Sequence, residues 1–185
     1  QGLVPAVELQ QNRGLRLYYH PCQKDGPYRY RKRIERLLAS SRLPELFKSK
    51  SFETFQVTDY NRHAVTAAKL VADGDTERGL LLAGPPGTGK THLAAAIMNH
   101  RINHGQEAVF CTVPELLADI RRAIRSEQET TELMEIIKTA EFLVMDDLGA
   151  ERTSGWVLEQ LFILINARAS SKKQTVVTTN YTSAP

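Results

Sequence analysis

Residues 84–91 read Gly-Pro-Pro-Gly-Thr-Gly-Lys-Thr, which fits G-x-x-x-x-G-K-[ST] at every fixed position. The motif constrains the fold because its chemistry needs a strand to enter it and a helix to leave it. The apolar run Gly79–Ala83 precedes it, and His92-Leu93-Ala94-Ala95-Ala96-Ile97 follows with helix-forming residues. Glycines let the backbone wrap phosphate oxygens with inward amide N–H groups, and the helix start aims its positive dipole end at the same anion. Lys90 is then expected to bridge the β- and γ-phosphates of ATP or ADP, and the Thr91 hydroxyl to ligate Mg²⁺. The expected nucleotide contacts are Gly84, Pro85, Pro86, Gly87, Thr88, Gly89, Lys90, Thr91 and His92. A plain glycine-rich turn would require neither the lysine nor the threonine.

Around this loop, short apolar runs alternate with longer helical patterns. Gly79–Ala83, Ala108–Val113, Phe142–Met145 and Thr175–Thr179 have the length and content of buried strands, and helical patterns span about 91–103, 114–126, 130–140 and 155–169. Strands that are apolar on both faces belong to a parallel sheet covered by helices on both sides. The expected fold class is therefore α/β, a three-layer αβα P-loop NTPase core. Arg62–Ala72 predicts one more helix, closed by Asp73-Gly74-Asp75. At 42% hydrophobic and 24% charged residues the composition is that of a globular chain. No run approaches the roughly 18 apolar residues that cross a bilayer, and the start at Gln1 lacks a signal pattern, so no membrane contact and a cytoplasmic location are expected. Two cysteines, Cys22 and Cys111, cannot form a disulfide framework.

Phe142-Leu143-Val144-Met145-Asp146-Asp147 ends an apolar strand in paired carboxylates about 55 residues after the phosphate loop. In a P-loop fold this is the Walker B strand: Asp146 is expected in the Mg²⁺ shell and Asp147 beside the attacking water. Thr178-Thr179-Asn180-Tyr181 closes the next strand, and α/β sheets bind ligands at such strand ends. Asn180 can there reach the γ-phosphate or the water; an asparagine turn fits the same residues. The expected catalytic set is Lys90, Asp146, Asp147 and Asn180, with Thr91 and Asp146 as the Mg²⁺ residues.

Charge divides the chain. Residues 1–50 hold eleven Lys/Arg against four Asp/Glu, a surplus of seven, and the rest hold thirteen against seventeen. A basic arm over 1–50 before an acidic core over 51–185 suggests contact with nucleic acid or an acidic partner, although a solvated tail has the same composition. Within the arm, Arg29–Leu38 reads as a basic amphipathic helix, with Tyr28 and Tyr30 interleaved. In the core, Arg121, Arg122 and Arg125 fall within about one helical turn and are the candidates for sequence-independent contact with single-stranded DNA; a solvated face is the alternative. His20 and Cys22 cannot by themselves complete a tetrahedral zinc site. Trp156, Leu158, Leu161, Phe162 and Ile165 are expected in the core.

Together GPPGTGKTHLAAAI, FLVMDDLGAE and VVTTNY resemble the AAA+ superfamily, and within it the bacterial replicative helicase loaders of the DnaC/DnaI type. RIERLLASSRLPELFKSKSFETF resembles the segment those loaders carry ahead of the ATPase core, so the likeness covers about residues 29–185. The resemblance implies an ATPase that delivers a hexameric replicative helicase to single-stranded DNA, self-associates through the nucleotide site and uses Asn180 as sensor 1. The acidic pair is Asp-Asp where most of the superfamily has Asp-Glu. The sequence also stops before the family's arginine finger, lid helices and sensor 2, so it reads as a fragment with weak turnover. IstB-type transposition ATPases, which bind duplex DNA, share much of the pattern. A small-molecule kinase is a third reading, which the DDLG turn and the TTNY segment disfavour.

Overall fold

The computed structural model describes residues 3–10, 14–21, 32, 34–36, 39–123, 134–150 and 154–181. The arm opens with a hairpin of β1 (Leu3–Gln10) and β2 (Gly14–Pro21), paired antiparallel from Leu3↔Pro21 to Gln10↔Gly14. The charge reading of the arm does not anticipate it. Of the expected basic helix, Lys32, Ile34, Glu35 and Arg36 are helical, as are Ala39 and Ser40 just beyond it, while Arg29, Tyr30, Arg31, Arg33, Leu37 and Leu38 lie outside the described residues. Next come α1 (Glu45–Lys48), α2 (Arg62–Asp73), β3 (Leu80–Ala83), α3 (Lys90–Asn103), β4 (Val109–Thr112) and α4 (Val113–Ala123). A helical stretch at 134–139, β5 (Phe142–Leu148), α5 (Gly155–Ser170) and β6 (Gln174–Thr179) complete the described chain.

Four strands form a parallel sheet in the order β3-β6-β5-β4. Successive side chains of a strand point to opposite faces, so an apolar strand can feed two cores. In β5, Phe142 and Val144 enter one core with Phe110, Val176, Ile97 and Met98, and Leu143 and Met145 enter the other with Cys111, Leu117, Ile137 and Leu164. Helices α2 and α3 build the first face; α4, α5 and the 134–139 helix build the second. The three-layer αβα class expected from the sequence is thereby observed, and each fully buried Leu, Ile or Met contributes about 1.5–3 kcal/mol to it.

Residues 41–55 straddle the change in charge and pack onto the first face. Ser41, Leu43 and Phe55 are buried, and Phe47 and Phe52 cover the core edge. The backbone N–H of Phe110 in β4 donates to Ser41 O at 2.8 Å, and Asn99 Nδ2 of α3 donates to Phe47 O and Lys50 O at 2.9 and 2.8 Å.

Two arginines are buried where sequence patterns give no warning. Arg101 donates to Val71 O at 2.6 Å and to Gln174 Oε1, and its guanidinium lies 4.3 Å over the Phe142 ring. Arg168 donates to Ile137 O, Ala140 O and Gln174 O at 2.7, 2.9 and 2.7 Å and to Thr175 Oγ1 at 2.8 Å. It ties α5 to the end of the 134–139 helix and to β6.

One core expectation is corrected. Leu161 is buried and Trp156 half-buried, but Leu158, Phe162 and Ile165 are exposed by 57%, 68% and 44%. The inward face of α5 is Val157, Leu161, Leu164 and Arg168, and each exposed residue follows one of these by a single step of about 100°. An apolar residue at helical spacing is not by that fact inward-facing.

Candidate functional site

The phosphate loop leaves β3 and ends at Gly89, the N-cap of α3. Gly89 has φ +85°, in the left-handed region, and a Cβ placed there would lie 2.6 Å from Phe55 Cε2. Conformation and space both require glycine. Pro85 O accepts from Thr88 Oγ1 and from Lys90 Nζ, each at 2.9 Å, so the ammonium lies over the loop. Gly84 N–H donates to Thr179 O at 3.3 Å and ties the loop's start to the end of β6.

Asp146 lies at the carboxyl end of β5, where register with β6 shifts. Met145 pairs with Val177 and Leu148 with Thr179, so Asp146 and Asp147 together oppose Thr178. Such a bulge re-aims side chains, and Asp147 takes φ +59° within it. Thr91 Oγ1 donates to Asp146 Oδ1 at 2.9 Å, and Thr178 Oγ1 donates to the same oxygen at 2.6 Å. Thr178 Oγ1 in turn accepts from Asp147 N–H at 2.9 Å. Burial raises the Asp146 carboxyl pKa, against the opposing effects of the Thr178 and Thr91 hydrogen bonds; the Asp147 charge raises it further, and Lys90 lowers it. The Thr91 hydroxyl oxygen beside the buried Asp146 carboxylate is a hard-oxygen pair that fits Mg²⁺, and the loop amides and the Lys90 ammonium nearby fit phosphate oxygens. Thr91 and Asp146 are the residues that would hold it.

Asn180 follows β6 directly and is exposed at the same end of the sheet. Beside it, Tyr181 covers Gly149, whose φ is +93° and where any Cβ would run into the ring.

A cleft of about 800 Å³ extends from the phosphate loop between α2, β3 and residues 54–61. Beyond Gly84, Pro85, Gly87, Thr88, Gly89, Lys90 and His92, it is lined by Phe55, Gln56, Thr58 and Asn61, which the sequence does not single out as site residues. Asn61 braces this rim: Oδ1 accepts from Thr58 N–H at 2.8 Å and Nδ2 donates to Gln56 O at 3.0 Å. His92 turns to the 51–55 strap, with Nε2 3.1 Å from Ser51 O and from Thr54 Oγ1 and its ring edge-on to Phe55 at 5.2 Å. A carbonyl only accepts, so Nε2 carries the proton. The clue was available in SFETF, two aromatic residues amid helix-poor neighbours.

The arginine candidates are not assembled in this way. Arg121 is exposed on α4, its guanidinium 5.1 Å over the half-buried Trp156 ring. Nothing is described of the Arg122 side chain, and Arg125 lies outside the described residues, as does Cys22. Among the described residues no cluster of three or more His, Cys, Asp or Glu is set to hold a metal, and no helix is long and apolar enough to cross a membrane.

Known proteins resemble the chain in sequence and fold. The replicative helicase loader DnaC of Buchnera aphidicola subsp. Schizaphis graminum is 30% identical over 153 residues, which are 80% of this chain and 62% of that protein. The chain thus spans about three fifths of the length of that curated relative. A crystal structure of the DnaC helicase loader superposes with TM-score 0.68 at 26% identity, covering 76% of this chain and 82% of that one. A DnaI crystal structure gives TM-score 0.66 at 29% identity, covering 76% and 77%. Residues 17–184 match the family described as IstB-like ATP binding protein, a span that includes the phosphate loop, the acidic strand and Asn180. By that match, with a fold shared with the AAA+ loaders, the chain belongs to the IstB-like ATP-binding protein family.

Proposed function

We propose that this chain binds ATP with Mg²⁺, hydrolyses it, and acts as a helicase loader that delivers a hexameric replicative helicase to single-stranded DNA. The observation that carries the nucleotide reading is the meeting of the phosphate loop and the acidic strand, Thr91 Oγ1 on Asp146 Oδ1 at 2.9 Å. Loop amides and Lys90 bind and orient the phosphates, and the nucleoside occupies the cleft between residues 54–61 and β3. Mg²⁺ supplies charge neutralisation and in-line alignment of the phosphate oxygens when bound. Asp147 orients the water and draws its proton, and Asn180 hydrogen-bonds the γ-phosphate or that water. Asp147 is one methylene shorter than the glutamate usual at this position, and turnover by a single copy is slow. An arginine supplied by a neighbouring copy raises it, which is the expected use of self-association through the nucleotide site.

Helicase loading is supported by the names of the relatives and the likeness to the loader structures. In this reading the basic arm docks on the helicase and Arg121, Arg122 and Arg125 contact phosphates of the strand. The second reading, an IstB-type transposition helper on duplex DNA, is favoured by the family match. Immobilised protein with ATP should retain a hexameric helicase and bind single-stranded oligonucleotide more tightly than duplex. Retention of a transposase with preference for duplex would select the second reading.

A further inference from the structure

Thr178 sits in β6, has no exposed surface, and uses its hydroxyl twice at the acidic pair. It donates to Asp146 Oδ1 at 2.6 Å and accepts from the Asp147 backbone N–H at 2.9 Å. Oδ1 takes a second hydroxyl from Thr91 at 2.9 Å, while Oδ2 has only a longer 3.2 Å contact with Thr91. The two oxygens of one carboxylate are therefore unequal. Oδ1 is held by two hydroxyls, and Oδ2 is the oxygen with coordination to spare. The bulge adds a second constraint, because Thr178 alone opposes both acidic residues and pins the Asp147 amide in its left-handed conformation.

We propose that Thr178 is a positioning residue that holds Asp146 through Oδ1, leaving Oδ2 as the oxygen that would take the cation, and that fixes the Asp147 backbone beside it. The proposal rests on the reading of Asp146 as a Mg²⁺ residue. Partners behind a metal-binding carboxylate are worth about 10–100-fold in metal affinity. Thr178, near the end of β6, stands two residues before Asn180, which follows that strand, so one short segment carries both the expected phosphate contact and the support of the acidic pair.

Thr178→Val keeps the shape and removes both the donor and the acceptor; Thr178→Ser keeps both. ATP is titrated calorimetrically into each protein with Mg²⁺ and with EDTA. The proposal predicts that Val lowers affinity for ATP in Mg²⁺ about 10–100-fold, leaves affinity in EDTA unchanged, and that Ser restores the Mg²⁺ effect. A Val variant matching wild type in Mg²⁺ overturns the proposal and leaves the nucleotide reading intact. A wild type whose ATP affinity ignores Mg²⁺ overturns the cation reading itself, and the proposal with it. If the Val variant does not fold, hydrogen exchange at the Asp147 amide of the wild type decides. Protection equal to that of the β5 interior supports the bond to Thr178, and exchange at the rate of an open loop overturns it.

Discussion

Thr91 and Asp146, 55 residues apart in the chain, meet hydroxyl to carboxylate at 2.9 Å. This contact joins the first turn of α3 to the end of β5 and brings the two halves of the nucleotide reading to one point. Asp146 is buried enough that its charge is disfavoured, and a cation at the site offsets that cost. Asp146→Ala is predicted to abolish the Mg²⁺-dependent part of ATP affinity while preserving what remains in EDTA, measured by titration in the two buffers.

Asp147 lies next to that carboxylate, with its backbone bonded to Thr178. Asp147→Asn is predicted to retain ATP binding and lose hydrolysis, about 10²–10⁴-fold if the carboxylate takes the proton of the attacking water. Single-turnover hydrolysis beside calorimetric binding separates the two. Unchanged turnover would assign the water to another residue.

Gly89 is the loop position least tolerant of change. Gly89→Ala forces φ +85° on an L-residue, costing about 1–2 kcal/mol, and drives a methyl into Phe55. Denaturant unfolding should show a loss larger than the conformational cost alone. Adding Phe55→Leu should recover the overlap and leave the conformational part.

Arg168 holds carbonyls from two places in the chain, the end of the 134–139 helix and the start of β6. Arg168→Met leaves Ile137 O, Ala140 O and Gln174 O without this donor and is predicted to cost about 3–5 kcal/mol, the range for breaking a buried charged network. The check is the denaturation midpoint, with Arg168→Lys falling between the two.

Cys111, buried in β4, has its thiol pKa raised from 9.0 to about 12 by burial. The folded chain holds this proton more tightly than the unfolded chain does. The contribution is therefore fully present below pH 9 and is lost as pH climbs from about 9 toward 12, at about 1.4 kcal/mol per unit. Alkylation followed at the Cys111 peptide should be slow in the native protein and rapid once it unfolds; fast native labelling would contradict the burial.

What could be read from the sequence was what is written locally. The glycine spacing of residues 84–91, the apolar strands and the acid pair at the end of β5 depend on neighbours in the chain. The TTNY segment gives Thr178 no role of its own, because that role exists only through the bulge that sets it against Asp146 and Asp147. The same holds for Arg101, whose partners lie 30 and 73 residues away, and for Arg168, which reaches back 31 residues to Ile137 O as well as forward to Gln174; arginine ordinarily signals the surface. Periodicity does not tell the outward face of α5 from the inward one, because Leu158, Phe162 and Ile165 are as apolar as the inward residues. The cleft wall at 54–61 is not legible in the sequence, because a strap that packs by two phenylalanines and one histidine has no periodicity.

The measurement that tests the account most directly is calorimetric titration of ATP with Mg²⁺ into the wild-type chain and into Lys90→Ala, both shown folded by circular dichroism. Lys90 places its ammonium over the loop at Pro85 O, so the account predicts saturable binding by the wild type and none by the variant. Equal affinity in the two proteins would contradict the phosphate-loop assignment and every step derived from it.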